Sequence, residues 1–180
     1  MPIKKKTAQV IISSLIFVTA ILTLVFYTSH RDSSFRPIAT STDIEKFTKI
    51  EALAIRLAPF QDLRNSLDSL VNVHQIEAGC ILSCAGSLRQ AAIRFADQNE
   101  ATVLSDKFEI VSLSGTLSKN GSHLHIAISD GTGKTIGGHL MEGCLIYTTA
   151  EIVIGILPEL KFLREYDQAS GYRELVIYRK

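Results

Sequence analysis

The chain has 180 residues, with 19 Lys plus Arg against 18 Asp plus Glu (formal net charge +1), 46 % hydrophobic residues and three cysteines. That length suits one domain with a full core and a short extra segment. The even charge balance argues against a nucleic-acid reader, which needs a basic patch to replace phosphate counterions, and three cysteines without C-x-x-C spacing exclude a disulfide framework or a zinc knuckle.

In chain order, the first element is apolar. No charged side chain falls between Thr7 and Ser29, and Ala8 to Tyr27 supplies about twenty mostly apolar residues, enough to cross a bilayer as a helix. The stretch is longer than a signal-peptide h-region and no A-x-A pattern follows it. An uncleaved anchor is therefore expected over residues 8–29, preceded by a basic tail at 1–7. Lys4, Lys5 and Lys6 hold that tail in the cytoplasm by the positive-inside preference, which places the carboxyl-terminal domain on the opposite side of the membrane. Residues 30–42, HRDSSFRPIATST, read as a polar linker. The domain proper is 43–180, where 14 Lys plus Arg face 17 Asp plus Glu, a net charge of −3.

Lys49 to Leu57 reads as a strand carrying Ile50, Leu53, Ile55 and Leu57. After Pro59, tolerated at a helix start, Phe60, Leu63, Leu67, Leu70, Val71 and His74 recur at helical spacing. Gly79 to Gly86 and Leu88 to Phe95 predict two strands joined by a glycine turn, and Lys107 to Ser118 a long strand interrupted at Gly115. On one strand Cys80 and Cys84 would stand about 13 Å apart, too far to bridge. These two and Cys144 are expected as small buried hydrophobes.

Residues 123–140, HLHIAISDGTGKTIGGHL, carry the chemistry. Alternate residues of a strand share a face, so His123 and His125 present two imidazoles side by side. Asp130 to Gly133 accepts positive φ and predicts a hairpin that returns His139 towards them. Each histidine alone would read as a surface residue; three of the chain's five within seventeen residues point to a shared ion. Three neutral imidazoles with a vacant fourth position suit zinc or a similar divalent metal. His30 and His74 stand apart and receive no role.

Leu145 to Leu157, apolar and rich in β-branched residues, predicts a buried strand. Arg173 to Arg179 alternates and predicts a last one. The elements sum to an α+β fold, a mainly antiparallel sheet of seven or eight strands with a few helices. No G-x-S-x-G elbow or phosphate-loop pattern is present. One N-x-S sequon, Asn120-Gly121-Ser122, lies beside the histidines.

In order and spacing, FEIVSLSGTLS, HLHIAISDGTGKTIGGHL and TAEIVI resemble the plants-and-prokaryotes-conserved (PPC or PCC) domain. The likeness runs from Leu53 to Val176 and takes in ALAIRL, ILSCAGSLRQAAIRF and GYRELVI. It implies an α+β fold assembled as a homotrimer. The prokaryotic branch carries the H-x-H and GGH histidines that plant AT-hook forms typically lack, which implies a divalent metal on His123, His125 and His139. Two departures stand out. Where the family begins its helix with Pro-Gly-Glu-Asp, this chain has Pro59, Phe60, Gln61 and Asp62. It also has no AT-hook or basic segment, which counts against the DNA-binding label attached to many prokaryotic relatives.

Glu109 matches the acidic position of the family's F-E-I signature. It and Glu151 are expected to support the metal ligands from behind or to face a trimer contact, rather than to act as catalytic acids. The reading is a membrane-anchored homotrimer that binds a divalent metal, expected to be zinc, with a small-molecule or metal-assisted hydrolytic role unassigned. The rival is a non-catalytic scaffold or DNA-associated regulatory domain.

Overall fold

Nine strands and one helix make up residues 48–180, the part of the chain that the structure, a computed structural model, describes. The expected tail, anchor and linker (1–7, 8–29 and 30–42) lie outside the described residues. Among the described residues no helix is long and apolar enough to cross a membrane. The elements are β1 (Glu51–Leu57), α1 (Leu63–Val73), β2 (Gly79–Arg94), β3 (Thr102–Leu104), β4 (Phe108–Leu117), β5 (His123–Ser129), β6 (Thr135–Leu140), β7 (Leu145–Ile156), β8 (Leu160–Tyr166) and β9 (Arg173–Arg179).

Seven strands form one antiparallel sheet, in the order β1-β7-β2-β4-β5-β6 with β3 on β2. The end of β2 also pairs with β6, through Ile93↔Leu140 and Arg94↔His139, so β2, β4, β5 and β6 close into a ring of pairings. Closure removes free edges from these strands and holds their register. Leu88, Ile93, Leu124, Ile128, Leu140, Ile146 and Ile154 are fully buried. Each such side chain withdrawn from water is worth roughly 1.5–3 kcal/mol before the entropy of ordering it is set against that gain.

The helix closes over this core because Leu63, Leu67 and Val71, four residues apart, form one apolar stripe. Asp62 starts it: Oδ1 accepts from the Asn65 N–H at 2.8 Å while Oδ2 accepts from the Gly143 N–H at 2.6 Å. The helix therefore begins at Leu63, later than the apolar spacing after Pro59 suggests, and Phe60 and His74 fall outside it. Phe60 instead takes φ +71° and lies exposed under the Arg89 guanidinium, 4.6 Å from the ring centre. It occupies, in the left-handed conformation, the place where the family's helix start has glycine.

Three further expectations are corrected. The two strands expected between Gly79 and Phe95 are one, Gly79–Arg94, with irregular register at Ile81/Ser83, Gly86/Leu88 and Leu88/Gln90. Gly86 is not a turn residue; a Cβ there would come within 2.1 Å of the Thr149 carbonyl oxygen, so its glycine lets β7 approach. β4 runs through Gly115 without a break. Of the cysteines, only Cys144 is fully buried, while Cys80 and Cys84 share β2 half-buried; all three are free. Burial pushes the Cys84 and Cys144 thiols up to about 11.

β8 and β9 make a separate antiparallel ribbon. It is fastened to the segment between α1 and β2 by the Phe162 N–H to the Glu77 carbonyl (2.9 Å) and by Lys180 Nζ to Glu77 Oε2 (2.7 Å). Leu160 and Phe162 bury against Ala78 as a second small core.

Candidate metal centre

Along β5 the burial alternates, with Leu124, Ile126 and Ile128 inside and His123 and His125 outside. Strand periodicity thus puts both imidazoles on the outer face. On one edge His123 lies opposite Thr116 and His125 opposite Ser114 of β4; on the other, His125 pairs directly with His139 of β6. Gly115 allows the first approach. Its φ is +132°, and a Cβ would fall 2.0 Å from the His123 carbonyl oxygen.

The hairpin turn sets the second approach. Asp130 Oδ1 accepts from the Thr132 N–H (2.8 Å), the Thr132 hydroxyl (2.6 Å) and the Lys134 N–H (3.1 Å), and Gly133 takes φ +85°. These bonds hold the Asp130 carboxyl below its ordinary range, the Thr132 hydroxyl contributing most. A turn so tied fixes which residue of β6 faces which residue of β5.

The three rings meet. Their centres are 4.9 Å (His123–His125), 5.2 Å (His123–His139) and 4.5 Å (His125–His139) apart. One ligand nitrogen from each lies within 4.8 Å of the others, and the Nε2 atoms of His123 and His125 are 3.1 Å apart. A tetrahedral ion with metal–nitrogen bonds of about 2.0–2.1 Å holds its ligands roughly 3.4 Å from one another. Three nitrogens gathered within 4.8 Å, one pair of them 3.1 Å apart, are a donor set that could hold such an ion.

Electrostatics favour the ligating form. Partial desolvation lowers the His123 pKa first, followed by the positive charge of Arg164; Glu174 opposes the shift. Desolvation and then Arg94 lower that of His139. Both shifts favour the neutral imidazole, the form that can offer a nitrogen lone pair to a cation.

The predicted carboxylates lie elsewhere. Glu109 is exposed on β4, opposite Ser87 and Ser129, and Glu151 is exposed on β7, opposite Arg56 and Ala85. Neither belongs to the histidine group. Sequence reasoning missed Arg94 and Arg164, whose charges act on the rings. Arg94 comes from the far end of β2 and Arg164 from β8, a strand that the sequence pattern did not reveal. Asn120, of the sequon, accepts the Arg164 backbone N–H through Oδ1 at 2.6 Å.

An antiparallel α+β domain with a three-imidazole cluster on one hairpin defines a class able to hold a metal. Residues 45–158 match the Plants and Prokaryotes Conserved (PCC) domain, and the chain belongs to that family. It is 43 % identical to a protein of known structure from Salmonella, covering 75 % of this chain and 98 % of that one with a TM-score of 0.74. The metal-containing protein AF0104 from Archaeoglobus fulgidus is 27 % identical, with 73 % and 99 % covered and a TM-score of 0.61. Over 123 residues the chain is 50 % identical to the bifunctional protein GlmU of Synechococcus sp. (strain JA-2-3B'a(2-13)). That match takes in 68 % of this chain but 20 % of the relative, so the chain spans about a fifth of its length.

Proposed function

We propose that this protein is a membrane-anchored, homotrimeric PCC domain that binds one divalent metal, zinc, through His123, His125 and His139. The observation that carries the reading is the convergence of three ring nitrogens within 4.8 Å on paired strands. The relative AF0104, described as metal-containing, supports it. Three nitrogen ligands leave a coordination position open, and a zinc ion there would acidify a bound water or polarise a carbonyl. The protein's own part is to hold the three imidazoles in register through the hairpin, for a ligand or a hydrolytic substrate.

Elemental analysis of the full-length chain tests the metal. About one zinc per chain is expected in the wild type and none in His123→Ala with His125→Ala; equal metal in both removes the reading. The anchor at residues 8–29 and the trimer are checked in the same preparation. The protein should resist alkaline extraction from membranes, its domain should sit on the side opposite the amino terminus in a protease-protection assay, and its detergent-corrected mass should equal three chains. Release into the soluble fraction ends the anchor proposal, protection on the same side ends the orientation, and a monomer mass ends the trimer. Exposed Leu82, Val103, Val111 and Tyr147 on the sheet supply apolar surface for such an assembly.

A further inference from the structure

His123 and His139 form part of the wall of a larger feature, a cleft of about 700 Å³ between β5, β6, the end of β2 and the β8–β9 ribbon. Its size is that of a small-molecule site. Four arginines line it, Arg64, Arg94, Arg164 and Arg173, against two acids, Asp97 and Glu174. This concentration of positive charge sits in a domain whose net charge is −3.

The arginines do different things. Arg64 is committed: it pairs with Asp68 at 2.7 Å and donates to the carbonyls of Leu140 (3.2 Å) and Ser122 (3.3 Å), bracing the cleft wall. Arg173 donates to the Arg164 carbonyl. Arg94 gives one bond to the Gln98 carbonyl (3.0 Å) and Arg164 one side-chain bond to the Thr116 hydroxyl (2.7 Å). Among the described residues neither is in an ion pair. A guanidinium carries five N–H donors, so each keeps most of its fork for a guest. Both are half-buried, where a planar fork binds an oxyanion better than water-exposed lysines would. The wall also contains Ser122, whose buried hydroxyl has no hydrogen-bond partner.

We infer that this cleft takes a small ligand bearing a carboxylate or phosphate group, held by Arg94 and Arg164 beside His123 and His139. The inference deepens the metal reading, on which it rests for the ligand's neighbour; the anion contact itself belongs to the arginines. An oxyanion between them sits next to His139, the register partner of Arg94, and His123.

Calorimetric titration of the full-length chain in detergent, at low ionic strength, with malonate in one arm and inorganic phosphate in the other, tests this. Each arm uses metal-replete and chelator-treated protein. One anion per chain is expected, with the tighter of the two probes naming the group. Arg94→Gln and Arg164→Gln should each weaken it at least tenfold, while Arg56→Gln on β1, away from the cleft, leaves it unchanged. Glu174→Gln, an exposed change that removes the opposing acid, should tighten binding several-fold and covers the case in which an arginine variant fails to fold. A metal-loaded wild type that binds neither anion, binding that survives both arginine changes, or a Glu174→Gln variant with unaltered affinity overturns the inference and leaves the metal reading standing. Anion binding through these arginines in a chain that takes up no metal overturns the metal reading alone.

Discussion

Along β5, Leu124, Ile126 and Ile128 are at most 2 % exposed, whereas His123 and His125, on the opposite face of the same seven residues, are open to solvent. The inner face is held by apolar burial inside a closed ring of strands. The outer face contributes little to the core and presents donors instead. A strand's period of two lets one segment serve stability and chemistry without compromise, because changing one face leaves the other in register.

Substitutions can break that separation or sharpen it. Gly115→Ala should have the largest effect, since its Cβ would meet the His123 carbonyl backbone at 2.0 Å and force β4 from β5. We expect a loss above about 4 kcal/mol in chemical denaturation, together with loss of metal, as both faces shift. A variant of near wild-type stability would show that β4 and β5 adjust freely. Ile126→Ala acts on the inner face alone. It should cost about 2–5 kcal/mol while the folded fraction keeps its full metal complement, and parallel loss of metal would mean that the faces are coupled.

The smallest effect belongs to a site remote from both faces. Phe60→Gly relieves a left-handed conformation worth about 1–2 kcal/mol. It also gives up the contact with Arg89 and adds backbone freedom to the unfolded chain, each worth roughly 0.5–1 kcal/mol. The net change should stay within about 0.5 kcal/mol by the same denaturation. A loss of 2 kcal/mol or more would reveal a packing role that its exposure conceals.

Much of the ring was legible from local pattern. The alternation in β5, the Asp130 turn and the beta-branched run of β7 are properties of neighbours in sequence, and each appears where it was expected. The start of α1 was displaced because Asp62 serves two N–H groups at once, one of them on Gly143, eighty-one positions away. Gly86 looked like a turn and proved to be an approach for β7, a distinction that depends on the partner strand. β3 is only three residues long, and β8 mixes Leu160 and Phe162 with charge and needs Ala78 and Glu77 to make its strand worthwhile.

Residue order by itself determined the α+β class, the family, the three clustered histidines and the hairpin that joins them, because strand period and turn chemistry act over a few bonds. Tertiary structure alone decided that β2 meets β6 at its far end, placing Arg94 opposite His139, and that β8 delivers Arg164 beside His123. Charges brought together from the ends of distant strands carry no local signature; only closure of the sheet and docking of the ribbon make them neighbours.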